Sequence, residues 1–315
     1  MITLAEIERA RAVTEDVVLR TPLVRLDQDG PAEIWLKLEC LQPIGSYKLR
    51  GATGAIRQAP ASALRDGVWT TSAGNMAQGV AWIARELGVP CTVIAPDTAP
   101  PVKLEAVARL GATTISVPFE RWWETMERGS FPGVEGFFVH PVLDERVMAG
   151  NGVIGLELVE QLAQIDVVVT PWGGGGLTCG IASALAALSP TTRIVASEPV
   201  TGAPLHASLA AGRSVAVDYV PSFVDGAGSK ALLPAMWERA RALVAEAVTM
   251  TLDETAEAIR TLATRARVVA EGAGALSVAA ALSGRVSGKR IVCVVSGGNI
   301  DPARLTEILA GRTPA

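Results

Sequence analysis

Lys48 stands where the strand-like run Glu33–Glu39 gives way to a helical pattern, inside the segment Gly45-Ser46-Tyr47-Lys48-Leu49-Arg50-Gly51-Ala52. A helix N-terminus and an apolar neighbour both disfavour an ammonium, so a lysine placed there is pushed toward its neutral amine. A neutral amine attacks carbonyls, the first requirement of Schiff-base chemistry. A lone lysine is ordinarily a solvated surface charge. The weight of the assignment therefore rests on what else the chain offers.

Three further loops share the same grammar of strand end, small polar or glycine-rich turn, then helix. They are Trp69-Thr70-Thr71-Ser72-Ala73-Gly74-Asn75-Met76, Val167-Val168-Val169-Thr170-Pro171-Trp172-Gly173-Gly174-Gly175-Gly176 and Ile291-Val292-Cys293-Val294-Val295-Ser296-Gly297-Gly298-Asn299. In open α/β sheets ligands bind outside the carboxyl ends of the strands, so such loops can converge on one ligand. Gly173, Gly174, Gly175 and Gly176 carry no side chains to block approach, and their amides beside a helix N-terminus suit a phosphate. A phosphate cradle and a Schiff-base lysine together point to pyridoxal 5′-phosphate (PLP), a phosphorylated aldehyde cofactor.

The elements that must position these loops alternate between strand-like and helix-like patterns through most of the chain. That alternation predicts a parallel α/β sheet covered by helices. Strands are expected near Val68–Thr71, Cys91–Ala95, Thr113–Val117 and Arg193–Ser197, and helices over Ala77–Leu87 and Leu177–Leu188. The tract 119–139, rich in Trp, Glu, Gly and Pro, reads as a short helix followed by an irregular loop. With 315 residues, 49% of them hydrophobic, there is ample material for a large core, and the length predicts about two domains.

Other chemistries are disfavoured by composition. A net charge of −4 gives no electrostatic footprint for nucleic acid or an anionic membrane. No apolar run reaches a membrane span, and the N-terminus lacks the apolar core of a signal peptide, so a cytoplasmic protein is expected. Cys40, Cys91, Cys179 and Cys293 form no CxxC pair, so neither zinc nor a disulfide framework is signalled. With only His140 and His206 available, a histidine metal centre or a Ser/His/Asp triad is disfavoured.

Two competing readings remain. A dinucleotide-binding oxidoreductase would use Gly173 to Gly180 with Glu198 at the end of the next strand, but no register of G-x-G-x-x-G fits. Starting at Gly174 puts Cys179 in the third glycine position, and starting at Gly175 puts Leu177 in the second. A non-catalytic binding protein would have no use for a reactive Lys48.

The order and spacing of the motifs resemble the fold-type II PLP enzymes, most closely the threonine/serine dehydratase branch. Four blocks carry the resemblance: Ser46-Tyr47-Lys48-Leu49-Arg50-Gly51-Ala52, Ser72-Ala73-Gly74-Asn75, the tetraglycine loop ending in Leu177, and Ser296-Gly297-Gly298-Asn299. A weaker fifth is Glu271-Gly272-Ala273-Gly274-Ala275. The resemblance implies a two-domain α/β fold like that of tryptophan synthase β, with parallel-rich twisted sheets covered by helices. It places a large PLP-binding domain at 1–50 and 145–315 and a small mobile domain at 51–144. A homodimer acting on a small amino acid is implied as well.

Roles follow from the same resemblance. Lys48 holds the cofactor as a Schiff base and then acts as the base at Cα. Asn75 hydrogen-bonds the cofactor's phenolic oxygen, and Tyr47 either stacks on the ring or simply packs. Gly173–Gly176 and the Leu177 amide hold the phosphate. Ser72, Ala73, Gly74, Asn75 and Met76 face the substrate, the polar ones gripping its carboxylate. Ser296 meets the pyridine nitrogen; a neutral hydroxyl leaves the ring a modest electron sink and favours prompt loss of a β-leaving group. Asp225-Gly226-Ala227 either covers the other cofactor face or is a plain turn, and Arg50 is read as a structural ion-pairing residue.

The implied reaction is α,β-elimination from a β-hydroxy L-amino acid such as threonine or serine, giving a 2-oxo acid and ammonia. The alternatives on this fold are β-replacement and racemisation. The cysteine-synthase branch usually shows Ser-x-Lys-Asp-Arg, which Ser46–Arg50 departs from. Racemases carry a serine acid where this chain has Ala73, which has no proton to give. Met76 replaces a usual histidine, Trp172 a small aliphatic residue and Asn151 a usual glutamine, all of which could reshape the pocket. Trp122 and Trp123 either cover the site or pack into the small-domain core, and Arg121 is the cation that an acidic substrate side chain would call on. Glu198 matches one ligand of a cation site in relatives, but Pro204 occupies the place of a second. No metal is expected, and Glu198 is read as a solvated surface acid.

Overall fold

The computed structural model describes residues 1–99 and 101–314. Six strands form one sheet in the spatial order β1 (Leu23–Arg25), β2 (Glu33–Lys37), β10 (Arg290–Val294), β7 (Val167–Pro171), β8 (Arg193–Pro199) and β9 (Glu246–Met250). Four form a second sheet in the order β5 (Thr113–Val117), β4 (Cys91–Pro96), β3 (Val68–Thr71) and β6 (Phe137–Phe138). Every pairing is parallel except the β1–β2 hairpin. A parallel strand covered on both faces reads as an uninterrupted apolar run, and Val167, Val168, Val169, Ile291, Val292, Cys293 and Val294 are all buried. The larger sheet draws on chain before residue 38 and after residue 166, and the smaller one is made wholly from chain between them.

Three helices fix the site's geometry. They are α2 (Lys48–Arg57), α6 (Glu145–Gln161) and α7 (Gly176–Leu188), with α6 lying between the other two. Their seams are lined by glycine because the backbones nearly touch. A Cβ on Gly150 would lie 2.4 Å from the Arg50 carbonyl oxygen, and one on Gly180 2.3 Å from the Met148 carbonyl oxygen. The helix that begins at Lys48 is thereby held against the same partner as the helix that begins at the glycine loop.

Beneath this seam lies a buried ion cluster. The Arg50 guanidinium donates to both carboxylate oxygens of Glu39 and of Glu157, and to the Leu19 carbonyl. Lys37 Nζ donates to Glu157, to Gln161 and to the Thr21 carbonyl. Arg50, Lys37 and Glu39 are fully buried and Glu157 nearly so. Burial alone would raise the Glu39 carboxyl, but the charge and hydrogen bonds of Arg50 outweigh it and hold Glu39 below the usual range. Arg50 thus has the structural role expected of it, tying α2 to β2 and α6.

Three expectations need correction. The tract 119–139 contains a ten-residue helix, α5 (Phe119–Arg128), but its remainder also supplies the fourth strand of the smaller sheet, β6. Only two residues pair there, too few for alternation to show in the sequence. Glu198 is fully buried rather than solvated. Its two carboxylate oxygens accept the amides of Leu205 and His206 at the start of α8 (Pro204–Ala211), so it caps a helix. Third, Arg121 is turned away from the site, with its guanidinium 4.9 Å from the Phe131 ring centroid.

Candidate active site

A cavity of about 620 Å³ opens between the two sheets at the carboxyl ends of β3 and β7. Its wall includes Tyr47, Lys48, Ser72, Ala73, Gly74, Asn75, Met76, Gly173, Gly174, Gly175, Gly176, Leu177 and Ser296. Residues separated by up to two hundred and fifty positions in sequence are thus brought to one space, roughly the size of a small cofactor with its substrate.

Each wall segment is held by local backbone geometry. Gly45, at φ +69°, turns the chain so that the Tyr47 amide donates to the Ser296 carbonyl at 3.0 Å. The Gly298 amide returns a bond to the Gly45 carbonyl at 2.9 Å. These two bonds fasten the lysine loop to the Ser296 loop. Lys48 then opens α2, its Nζ lying 5.3 Å from the Tyr47 ring centroid. Ser72 Oγ accepts the Gly74 amide at 3.3 Å, and Gly74 caps α3 (Asn75–Leu87).

The glycine loop is shaped to receive an anion. Gly175 is the N-cap of α7 in the left-handed region, φ +90°, which favours glycine. A Cβ there would lie 2.4 Å from Trp172 Cη2, and one on Gly174 would lie 2.5 Å from Val142 Cγ2. Among the described residues, no protein acceptor takes the amides of Gly173 to Leu177. Free amides at the positive end of a thirteen-residue helix, with no side chains in front, are the requirement for a phosphate. The residues present therefore fit a phosphorylated aldehyde: an amine at one wall, a phosphate cradle at another and the Ser296 hydroxyl between. Trp172 does not line the cavity; it is fully buried behind Gly175. Asn151 lies further back and donates to the Gly176 carbonyl at 3.3 Å.

The remaining wall has a polar side, carrying Thr98, Lys103, Tyr219, Ser222, Asp225 and Arg304, and an apolar side. Met76, Pro96, Ala99, Phe119, Trp122, Pro141 and Val142 contribute to the apolar side. Trp122 belongs to both readings made of it, since it lines the cavity and packs with Trp69, Ile94 and Val117. Trp123 is 37% exposed and outside the cavity. The segment Asp225–Gly226 also borders the space, and Asp225 pairs with Lys103 of α4 (Pro101–Arg109) at 2.6 Å. Their separation of 122 residues left no trace in sequence.

Glu271, from the weaker fifth block, has a role at the site that the sequence did not reveal. It precedes α11 (Gly272–Leu282), lines the cavity, and accepts a hydrogen bond from Asn75 Nδ2 at 2.8 Å. Burial, reinforced by the nearby charge of Asp225, pushes its carboxyl up to about 7. Its only sequence signal is an acid set directly before a Gly-Ala-Gly helix start.

The chain belongs to the pyridoxal-phosphate-dependent enzyme family, whose model matches residues 14–297. It is 39% identical to the L-threonine ammonia-lyase of Thermotoga maritima, over 98% of this chain and 78% of that protein. Among solved structures, maize serine racemase superimposes with a TM-score of 0.90 at 30% identity, covering 98% of this chain and 97% of that one. The processed form of threonine deaminase isoform 2 from Solanum lycopersicum gives 0.86 at 29% identity, covering 98% and 93%. The two-domain-type α/β architecture and the cofactor expected from the sequence are those of this family.

Proposed function

We propose that this protein is a PLP-dependent lyase that eliminates water from a β-hydroxy L-amino acid such as threonine or serine, yielding a 2-oxo acid and ammonia. The observation that carries the reading is the meeting of Lys48, the free amides of Gly173–Leu177, Asn75 and Ser296 in one cavity, in a chain akin to threonine ammonia-lyase. PLP, when bound, supplies the carbonyl carbon for a Schiff base and a sink for the electron pair left at Cα.

The chain's own residues do the rest. The amides of Gly173, Gly174, Gly175, Gly176 and Leu177 hold the phosphate, and Asn75 and Ser296 engage the phenolic oxygen and the pyridine nitrogen. Ser72, Gly74 and Asn75 grip the substrate carboxylate at the start of α3. Lys48, once freed by the substrate amine, takes the proton from Cα. The β-hydroxyl would leave with a proton as water, and the enamine, once released, would hydrolyse to the 2-oxo acid and ammonia. The apolar side chains of Met76, Phe119 and Trp122 would exclude solvent from the reacting Cα. Residues 51–144 act as the small domain that closes over the substrate, and residues 1–50 and 145–315 as the cofactor-bearing one. A cytoplasmic homodimer is the working form proposed.

The structural likeness to maize serine racemase favours racemisation as a second reading. Against it stands the methyl group of Ala73 at the cavity wall, which holds no proton for the opposite face of Cα. Incubation with L-serine and L-threonine should release ammonia and 2-oxo acid in equal amounts. A D-amino acid as the main product would overturn the lyase reading. Capture of an added thiol as a stable β-substituted product would move it to the synthase branch.

A further inference from the structure

The polarity of one hydrogen-bonded chain at the cavity wall is fixed by its far end. The Ile44 carbonyl can only accept, so Asn299 presents Nδ2 to it, at 2.8 Å. The same Nδ2 donates to Asn75, which must therefore present Oδ1, also at 2.8 Å. Asn75 is left with its Nδ2 toward Glu271, and the chain ends on that carboxylate. One amide hydrogen of Asn75 is thus committed to Glu271, and the other is what remains for a ligand in the cavity. Glu271 is 7% exposed, and its backbone is pinned by its amide donating to the Gly297 carbonyl at 3.0 Å. The missing side chain of Gly297 lets the carboxylate approach this closely, since a Cβ there would lie 2.4 Å from Glu271 Oε1.

We propose that Glu271 is a positioning residue for the elimination, its ionised carboxylate holding the Asn75 amide in the one orientation that serves the phenolic oxygen of the cofactor. This rests on the lyase reading given above and on Asn75 having the role its motif implies. An ionised Glu271 offers only acceptors to Asn75 and makes a charge-assisted bond. A protonated Glu271 carries a donor of its own, which can turn toward the Asn75 amide and weaken its hold. The site should therefore work in the ionised form and fade as pH falls.

The group is well placed to titrate in the working range, because burial raises it to about 7. Lys48, Lys103, Asp225 and Cys40 face it from the surrounding elements, and Arg304 and Asp301 rim the adjoining groove. Asp225 is paired with Lys103 and half open to solvent, whereas burial pushes the Cys40 thiol up to about 12. Glu271 is the acid in this set that matches a midpoint near neutrality.

The test uses the PLP-loaded enzyme, first without substrate. The visible absorbance of the bound cofactor, titrated from pH 5.5 to 8.5, should change with a midpoint near 7, and kcat/KM should fall about tenfold per pH unit below it, the slope of one proton. In Glu271→Gln, which keeps an acceptor for Asn75 and removes the charge, both should vary less than about twofold. The same acid limb in Glu271→Gln, or no midpoint in the wild type, overturns the proposal. Should that variant fail to load the cofactor, Asn75→Leu decides. It leaves Glu271 in place and removes the link, so loss of the midpoint supports the proposal and its persistence refutes it. Because the spectral titration needs no substrate, it decides whether Glu271 holds Asn75 separately from turnover, whose failure with β-hydroxy amino acids would sink the lyase reading instead.

Discussion

Replacing Arg50 with methionine tests whether the ion cluster holds the scaffold under Lys48. In the wild type two cations, Lys37 and Arg50, balance two carboxylates, Glu39 and Glu157, with both cations fully buried. Arg50→Met leaves a net charge of −1 and strands Glu39, whose remaining bonds come from Thr21 and Gln42. Breaking a buried pair by removing one partner costs about 3–5 kcal/mol, which for a chain of this size lowers Tm by roughly 5–8 °C. Differential scanning calorimetry of the holoenzyme measures it. The acid side supplies an independent sign. Because Glu39 is held below the usual carboxylate range, its stabilisation is present above that range and is lost as pH falls through its depressed value. Arg50→Met should lose this acid-side decline. The double variant Glu39→Gln/Arg50→Met, neutral again, should melt above Arg50→Met, since the two sites share one network. A single variant within about 2 °C of wild type, or a double variant that melts lower still, would refute the argument.

Lys48→Ala should lose the visible cofactor band and several orders of magnitude of activity; near wild-type turnover would rule out Lys48 as the Schiff base. Gly175→Ala forces a side chain to φ +90° and into Trp172, so PLP affinity measured by fluorescence titration should weaken more than about tenfold, and a change under twofold would show that the loop does not depend on that turn. Glu198, raised by burial to about 7 against the opposing pull of two helix amides, contributes stability that is present at acid pH and lost as pH rises through 7. Between pH 5 and 8 that loss is about 2–3 kcal/mol; Glu198→Gln should remove it from urea unfolding curves, and an unchanged pH dependence would contradict the burial argument. Finally, the apolar wall predicts higher kcat/KM for β-hydroxyleucine and phenylserine than for 3-hydroxyaspartate, with Trp122→Ala reducing the advantage by about tenfold or more. A preference for 3-hydroxyaspartate would defeat it and direct attention to Lys103 and Arg304, which border the cavity, rather than to Arg121.

What the sequence revealed follows the range of the forces involved. The strands Val68–Thr71 and Thr113–Val117 were legible to the residue, the first because both its faces are buried along its whole length and the second because its β-branched residues run between turn signals. The glycine loop and the Lys48 segment were legible because backbone approach and helix starts leave local marks. The two-residue β6 was not, since its pairing depends on Gly67 and Trp69 across the sheet. Glu198 looked like a surface acid because the amides that bury it lie seven and eight positions further on, in a turn that the sequence does not announce. Glu271 and the Lys103–Asp225 pair depend on contacts more than a hundred residues apart, where no periodicity can reach.

The strand order of the larger sheet also bears on how the molecule comes into being. β10 follows both β2 and β7 by more than a hundred residues, yet it lies between them, pairing with both. Its final turn carries Ser296 and the carbonyl that fastens Tyr47. During synthesis at roughly 5–20 residues per second, some two hundred and fifty residues emerge before the lysine loop acquires the partner that shapes it. Until β10 emerges, β2 and, once it is made, β7 each expose an edge of the kind that recruits other chains. The nascent protein can neither assemble its catalytic pocket nor protect its sheet until β10 has emerged, so activity arrives all at once and the growing chain depends on shelter.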